Sequence, residues 1–313
     1  MENLNKWLVE IDSLESKEDV IHNIIQLANH LGPTSIKFIY VSKELDLPSE
    51  IETDFPDLQK ANQQSIGKDL EALVSKHLSG EISFEIEMTI GNPLTEVLKK
   101  SQELDIDLIL ISNQQDFAKL HKKIIRKSPC SVLVVPTVRK IDISSILIPV
   151  DHSEYTAMSI SVAKRFTEQY KVNEVKALHL YRDASHYLNR VFENPYEVEE
   201  MLVKLKELNK KLESYAVFKT NDLIDNNKSI SGFTGETIQL QKGTDIDEYL
   251  SQQLNNNNPD LIIMGAKGKT ASAGNLLGSV TENLQADLMK SLLYIVKKKG
   301  ENVSFIRSLL NLS

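Results

Sequence analysis

The 313-residue chain carries 36 Lys and Arg against 44 Asp and Glu, a net charge of −8, with 41% hydrophobic and 26% charged residues. That composition is ordinary for a globular protein, the length suits about two domains, and an acidic chain without an evident basic face argues against a nucleic-acid partner. No apolar run approaches the roughly 18 residues of a membrane span, the opening residues lack a signal-peptide pattern, and a single cysteine, Cys130, precludes an intrachain disulfide and suits a reducing cytoplasm.

The first half alternates short apolar runs with longer helical patterns. Trp7–Ile11 reads as a strand, and Ser16–His30 as a helix with Ile21, Ile24, Ile25 and Ala28 on one face, stopped by Gly32-Pro33. Ser35–Val41 is a strand, Asp57–Leu78 a polar helix, Ile82–Ile90 an alternating strand, and Pro93–Leu104 a helix with proline at its first turn. Leu108–Ser112 and Val132–Val135 are continuous apolar runs of the kind buried parallel strands show, with a helix over Phe117–Lys127 between them. Cys130, at the start of the last run, reads as a small buried side chain. Strand–helix alternation of this kind implies a doubly wound α/β sheet.

A polar connection at Pro136–Asp142 closes the first unit, expected over 1–138, and the pattern then restarts in a second unit over 143–300. Ile146–Val150, Val175–Tyr181, Thr237–Gln241, Leu261–Met264 and Leu292–Val296 read as strands. Ser153–Tyr170, Tyr196–Ala216, Asp245–Leu254 and Val280–Lys290 read as helices. Lys219–Gly235, rich in Asn, Asp and Ser, reads as a surface loop, and Asn255–Pro259 as a solvated connection. A tail over 301–313 is expected to form a short helix near Phe305–Leu312.

The two units are copies. Asp12 after the first strand corresponds to Asp151, 139 positions on, and Asp107-Leu-Ile-Leu-Ile corresponds to Asp260-Leu-Ile-Ile-Met, 153 positions on. The copies diverge after that run. The second has Gly265-Ala-Lys-Gly268, nine further residues and Gly278-Ser279, whereas the first has the glycine-free Ser112-Asn113-Gln114-Gln115-Asp116. Glycines between a strand and a helix let backbone N–H groups approach an anion at the helix N-terminus. Gly268-Lys-Thr invites a P-loop reading, but the required earlier glycine falls on Ile263, inside the strand, so that motif is rejected.

The spacing Gly265-x-x-Gly268-(nine)-Gly278-Ser279 instead resembles the signature of the ATP-binding branch of the universal stress protein family. Ile146-Leu-Ile-Pro-Val-Asp151-His-Ser153 and Leu178-His179-Leu180 support the resemblance, which is strong over 145–298 and weaker over 5–136. It implies two tandem α/β domains, each a five-stranded, mostly parallel sheet of order 3-2-1-4-5, packed as an intrachain pseudo-dimer with their last strands at the junction. The first domain would be a degenerate copy lacking the loop. The resemblance further implies that Pro149, Asp151 and Leu180 contact adenine and ribose, and Met264 and Gly265 the base or ribose. Gly268, Gly278, Ser279 and Val280 would cradle the phosphates of ATP, with or without Mg²⁺, through backbone N–H groups.

Each residue has a plainer role beside that one. Asp151 with Glu154, and Ser279 with Glu282, have the spacing of helix-capping pairs. His179 reads as structural, and Lys267 and Lys269 either reach phosphate or stay solvated. His152 replaces the small residue common at its position in the family. The seven histidines show no paired metal-ligand spacing, and no nucleophile elbow occurs, so no catalytic group is assigned. The expectation is a cytoplasmic stress-response protein binding ATP in its second domain as a nucleotide-dependent binding or signalling module, with homodimerisation open. The alternatives are a slow ATPase or phosphotransferase of the same fold and a nucleotide-free interaction scaffold.

Overall fold

In the computed structural model, residues 4–11, 18–45, 47–48, 54–113, 118–137, 141–187, 195–267 and 291–309 are described. The first half lays down β1 (Lys6–Ile11), α1 (Glu18–Leu31), β2 (Ser35–Ser42), α2 (Leu58–His77), β3 (Ser83–Ile90), α3 (Pro93–Glu103), β4 (Leu108–Ser112), α4 (Ala118–Lys127) and β5 (Ser131–Val135). The second repeats the plan with β6 (Ser145–Val150), α5 (Glu154–Gln169), β7 (Glu174–Arg182), α6 (Pro195–Asn226), β8 (Phe233–Leu240), α7 (Ile246–Asn257), β9 (Leu261–Gly265) and β10 (Leu292–Val296). A 3₁₀ turn, Ala184–Tyr187, follows β7, and α8 (Val303–Leu309) follows β10.

The strands form one ten-stranded sheet in the order β3-β2-β1-β4-β5-β10-β9-β6-β7-β8. Each half therefore has the order 3-2-1-4-5 and is parallel throughout. The halves join where β5 and β10 pair antiparallel, with Leu293 opposite Val134 and Tyr294 opposite Leu133. Central strands are apolar at nearly every position because helices cover both faces: every residue of β4, β5 and β10 is buried. The edge strands β3 and β8 alternate instead. On β3 the outward Glu85 and Glu87 pair with Lys37, and Glu87 also with Lys100, which charges an edge that would otherwise invite another strand.

Two cores result. One joins α1, α2 and α5 to the sheet, with Trp7, Phe38, Phe166 and Tyr294 among its members. The other lies on the opposite face under α3, α4 and α7, through Val97, Ile124, Ile125, Leu250 and Leu254. The halves also meet beside the sheet: Arg165 of α5 donates to the Leu31 carbonyl closing α1, at 3.0 Å, and the His30 and Tyr170 rings stack at 4.6 Å. Cys130 is buried, at 1% exposure.

Two expectations are overturned. The stretch Lys219–Gly235 is not a surface loop: α6 continues to Asn226, and β8 begins at Phe233. Its polar residues face outward while Ala216, Thr220, Leu223 and Ile224 keep one stripe against the sheet, with Ala216 and Thr220 fully buried. Gly235 sits in β8, where a Cβ would lie 2.6 Å from Thr220 Cγ2 and 2.9 Å from Ile224 Cδ1. The glycine lets the helix lie close on the strand. The asparagine run after it is helical too, with α7 reaching Asn257 and Asn258 closing it in the left-handed conformation, φ 42°.

Candidate functional site

In an open α/β sheet, chain connections diverge where the strand order reverses, leaving a crevice beyond the carboxyl ends of the two strands concerned. In the second half those strands are β6 and β9, which pair directly. Pro149 near the end of β6, Leu180 of β7 and Met264 of β9 fall on the same face of the sheet, that of Leu147, Leu178 and Ile262. Pro149 and Leu180 are half-buried and Met264 is buried. Three adjacent strands thus bring together the three apolar residues expected to face base or ribose, as one patch beside the crevice.

Asp151 follows β6 directly. Its Oδ1 accepts from the Ser153 amide at 3.0 Å and the Thr156 hydroxyl at 3.1 Å, and its own amide donates to Thr156 Oγ1 at 3.3 Å. The carboxylate therefore shapes the turn into α5 from two residues before its N-cap, Ser153. The capping pair with Glu154 expected from the sequence is not formed, and Glu154 pairs with Lys298 instead. His152 beside it is left-handed, at φ 58°, a conformation that favours glycine. Its ring lies 4.4 Å from that of His179, and His179 Nδ1 is 3.0 Å from the Val150 carbonyl oxygen, consistent with the structural role read for that residue.

Gly265 ends β9, and its need for glycine has a packing cause. A Cβ there would lie 2.5 Å from Tyr155 Cβ in the first turn of α5. Gly268, Lys269, Gly278, Ser279, Val280 and the helix expected over Val280–Lys290 lie outside the described residues, as does Asp12 of the first copy.

A polar cluster that the sequence reading missed borders Gly265. Lys267 Nζ and Glu301 Oε1 are 2.5 Å apart, and the Tyr155 hydroxyl donates to the same oxygen at 2.9 Å. Burial and that carboxylate push the Tyr155 phenol well above its ordinary range. Lys297, only 1% exposed, donates to the carbonyls of Arg126 and Ser128 at 3.1 and 3.2 Å, so it caps the C-terminal end of α4 in the other half. Burial drives its ammonium down to about 7, against the opposing pull of Glu301. In the sequence Lys297 was part of the run Lys297–Lys299 and Lys267 part of the glycine stretch, and lysines in such settings are usually solvated. The antiparallel junction, which carries the tail onto the first half, gives Lys297 its buried carbonyl partners.

The first half fills the equivalent crevice differently. Glu10 stands 139 positions before Pro149 and pairs with Ile39 of β2 as Pro149 pairs with Leu178 of β7. Its carboxylate lies 3.2 Å from His121 Nε2 of α4, both side chains almost fully buried. A charged residue inside the apolar run Trp-Leu-Val-Glu10-Ile was the signal available for this. Among the described residues no group of three or more His, Cys, Asp or Glu is placed to hold a metal ion, and no helix is long and apolar enough to cross a membrane.

No curated protein matches the chain significantly. Among solved structures, a functionally unknown protein from Pseudomonas aeruginosa PAO1 matches with a TM-score of 0.62 at 14% identity, over 100% of this chain and 99% of its own. A universal stress protein from Archaeoglobus fulgidus DSM 4304 matches with a TM-score of 0.59 at 14% identity, over 94% and 97%. A putative universal stress protein from Pseudomonas aeruginosa UCBPP-PA14 gives 0.57 at 15%, over 99% of each. At such identities the likeness speaks to the fold alone. The model of the universal stress protein family, however, matches twice, over residues 4–136 and 143–291. Those stretches follow the two halves of the sheet and cover most of the sequence, and the chain belongs to the universal stress protein family as a tandem member.

Proposed function

We propose that the second half binds an adenine nucleotide, ATP, at the carboxyl ends of β6, β7 and β9, and that the first half has no working copy of the site. The observation that carries this reading is the contrast between the two switch points. Pro149, Leu180 and Met264 offer an apolar patch suited to a purine face, while the position of Pro149 is taken in the first half by Glu10, paired with a buried histidine. An adenine ring placed there would have to displace a buried carboxylate and the imidazole that lies against it.

In the second half the roles follow from the residues. The apolar patch takes the base, and the backbone from Gly265 onward lies beside the sugar and phosphates. Asp151, while holding its turn, presents a carboxylate to ribose hydroxyls, as acidic residues at such crevices do. Gly268, Gly278, Ser279 and Val280, outside the described residues, are assigned to the phosphates through their amides. No general base and no metal ligand is assigned. The protein acts on this reading as a nucleotide-dependent binding or signalling module of a cytoplasmic stress response.

Mass spectrometry of small molecules released from freshly purified protein tests the ligand class. An adenine nucleotide near stoichiometric with the chain, or its stable uptake when ATP is added, is expected. Absence of both contradicts the reading and leaves the nucleotide-free scaffold.

A further inference from the structure

Residues 297–302, immediately after β10, form a clasp on the first half. Lys297 and Asn302 side chains both donate to the Arg126 and Ser128 carbonyls at the end of α4, Asn302 at 3.2 Å to each. The Gly300 amide donates to the Pro129 carbonyl at 2.8 Å. Lys299 reaches Asp105 at 2.8 Å and Asp107 at 2.6 Å, beside the start of β4. The same short stretch carries Glu301, which points back into the second half and takes the cation of Lys267 and the hydroxyl of Tyr155 on one oxygen. Its other oxygen, Oε2, is buried without a hydrogen-bonding partner among the described residues.

Lys267 is two residues past Gly265, at the mouth of the glycine stretch, and the Ala266 amide between them is fixed to the Val296 carbonyl at 2.9 Å. The lysine is thus a cation at the edge of the nucleotide crevice whose charge is engaged by the domain clasp. We infer that Lys267 and Glu301 form a latch between the nucleotide site and the interdomain clasp: polyphosphate draws Lys267 off Glu301, and the clasp on α4 loosens. The inference rests on the nucleotide reading above and adds to it a consequence in the other half.

The physical sequence is an exchange of anions on one ammonium. A polyphosphate competes with the carboxylate for Lys267. Once the lysine leaves, Glu301 is a largely buried carboxylate with the Tyr155 hydroxyl as its remaining donor, and such a group is costly to keep desolvated. Moving outward to water carries residues 297–302 with it, because Gly300 and Asn302 flank Glu301 and make the clasp contacts. Reciprocity follows: whatever strengthens the clasp must weaken nucleotide binding by the same factor.

Hydrogen exchange of residues 126–131 and 297–302, measured with and without ATP alongside ATP affinity, tests the latch. In the wild-type protein ATP is expected to speed exchange at the Gly300 amide. Glu301→Gln, which keeps an acceptor for Tyr155 but gives up the charge, should tighten ATP binding by roughly fivefold or more. Lys267→Met should show the faster Gly300 exchange without ATP and no further change with it. ATP binding that leaves exchange in 297–302 unchanged, or an affinity unaltered by Glu301→Gln, overturns the latch while the nucleotide reading stands. Failure of the wild-type protein to bind ATP overturns both.

Discussion

Asp107 and Asp260 precede the fourth strand of their halves, and each receives two consecutive amides opening the first strand. Asp107 Oδ2 takes those of Asn5 and Lys6 at 3.0 Å, and Asp260 Oδ2 those of Ser144 and Ser145 at 2.9 Å. The duplicated aspartate is therefore a brace for the β1–β4 and β6–β9 pairs, the very strands that diverge at the switch point. At Asp260, burial alone would raise the carboxyl, but the Ser144 and Ser145 hydroxyls and amides hold it below its ordinary 3.8. A lowered native pKa gives stability that is present above the ordinary value and lost as pH falls through the native one. Asp260→Ala should cost about 1–3 kcal/mol in denaturant melts at pH 7, and its deficit against wild type should shrink below pH about 4.

Lys297 has the opposite linkage. With its native pKa near 7 and its ordinary value at 10.5, the native state releases its proton first, so this group makes stability rise with pH across that interval. Below it, the buried ammonium, facing Lys267 and countered by Glu301, is a burden of a few kcal/mol at the order-of-magnitude level. Asn302 still serves the Arg126 and Ser128 carbonyls when the lysine is gone. Lys297→Met should therefore raise the melting temperature at pH 6, by a margin that narrows steadily between pH 7 and 10; a constant margin would place the ammonium in a solvated setting.

Among the elements, the central strands were visible in the sequence because burial on both faces leaves a strand almost no polar positions, as in Leu108–Ser112 and Leu292–Val296. The end of α6 was hidden for a related reason. A helix packed on one outer strand needs only one apolar stripe, and the Asn, Asp and Lys residues around Thr220, Leu223 and Ile224 gave the impression of a loop. Gly235 deepened it, since a glycine that admits a helix closely onto a strand looks the same in sequence as one that makes a turn. Gly235→Ala should destabilise the protein by about 1–3 kcal/mol through overpacking. Part of that loss should return with Thr220→Ser, which removes the nearest methyl and keeps the hydroxyl that meets Thr237 at 3.0 Å. A neutral Gly235→Ala would mean that α6 stands farther from β8.

The apolar part of the candidate site, Pro149, Leu180 and Met264, came from the family resemblance, and strand pairing sets the three on one face of β6, β7 and β9. The polar cluster was not legible in the sequence, because Tyr155, Lys267 and the 297–301 stretch come from three separate points in the chain and meet only where the tail crosses the junction.

At the scale of the whole molecule, the tandem chain has one sheet and two switch points with unlike linings. The β5–β10 pair, the α1–α5 contact and the 297–302 clasp fix the halves to each other. Glu10 and His121 occupy the position in one half that the apolar patch holds in the other. Isothermal titration of the purified full chain with ATP is the most direct test of that inequality. One site per chain is the result this account predicts; two sites, or none, would contradict it.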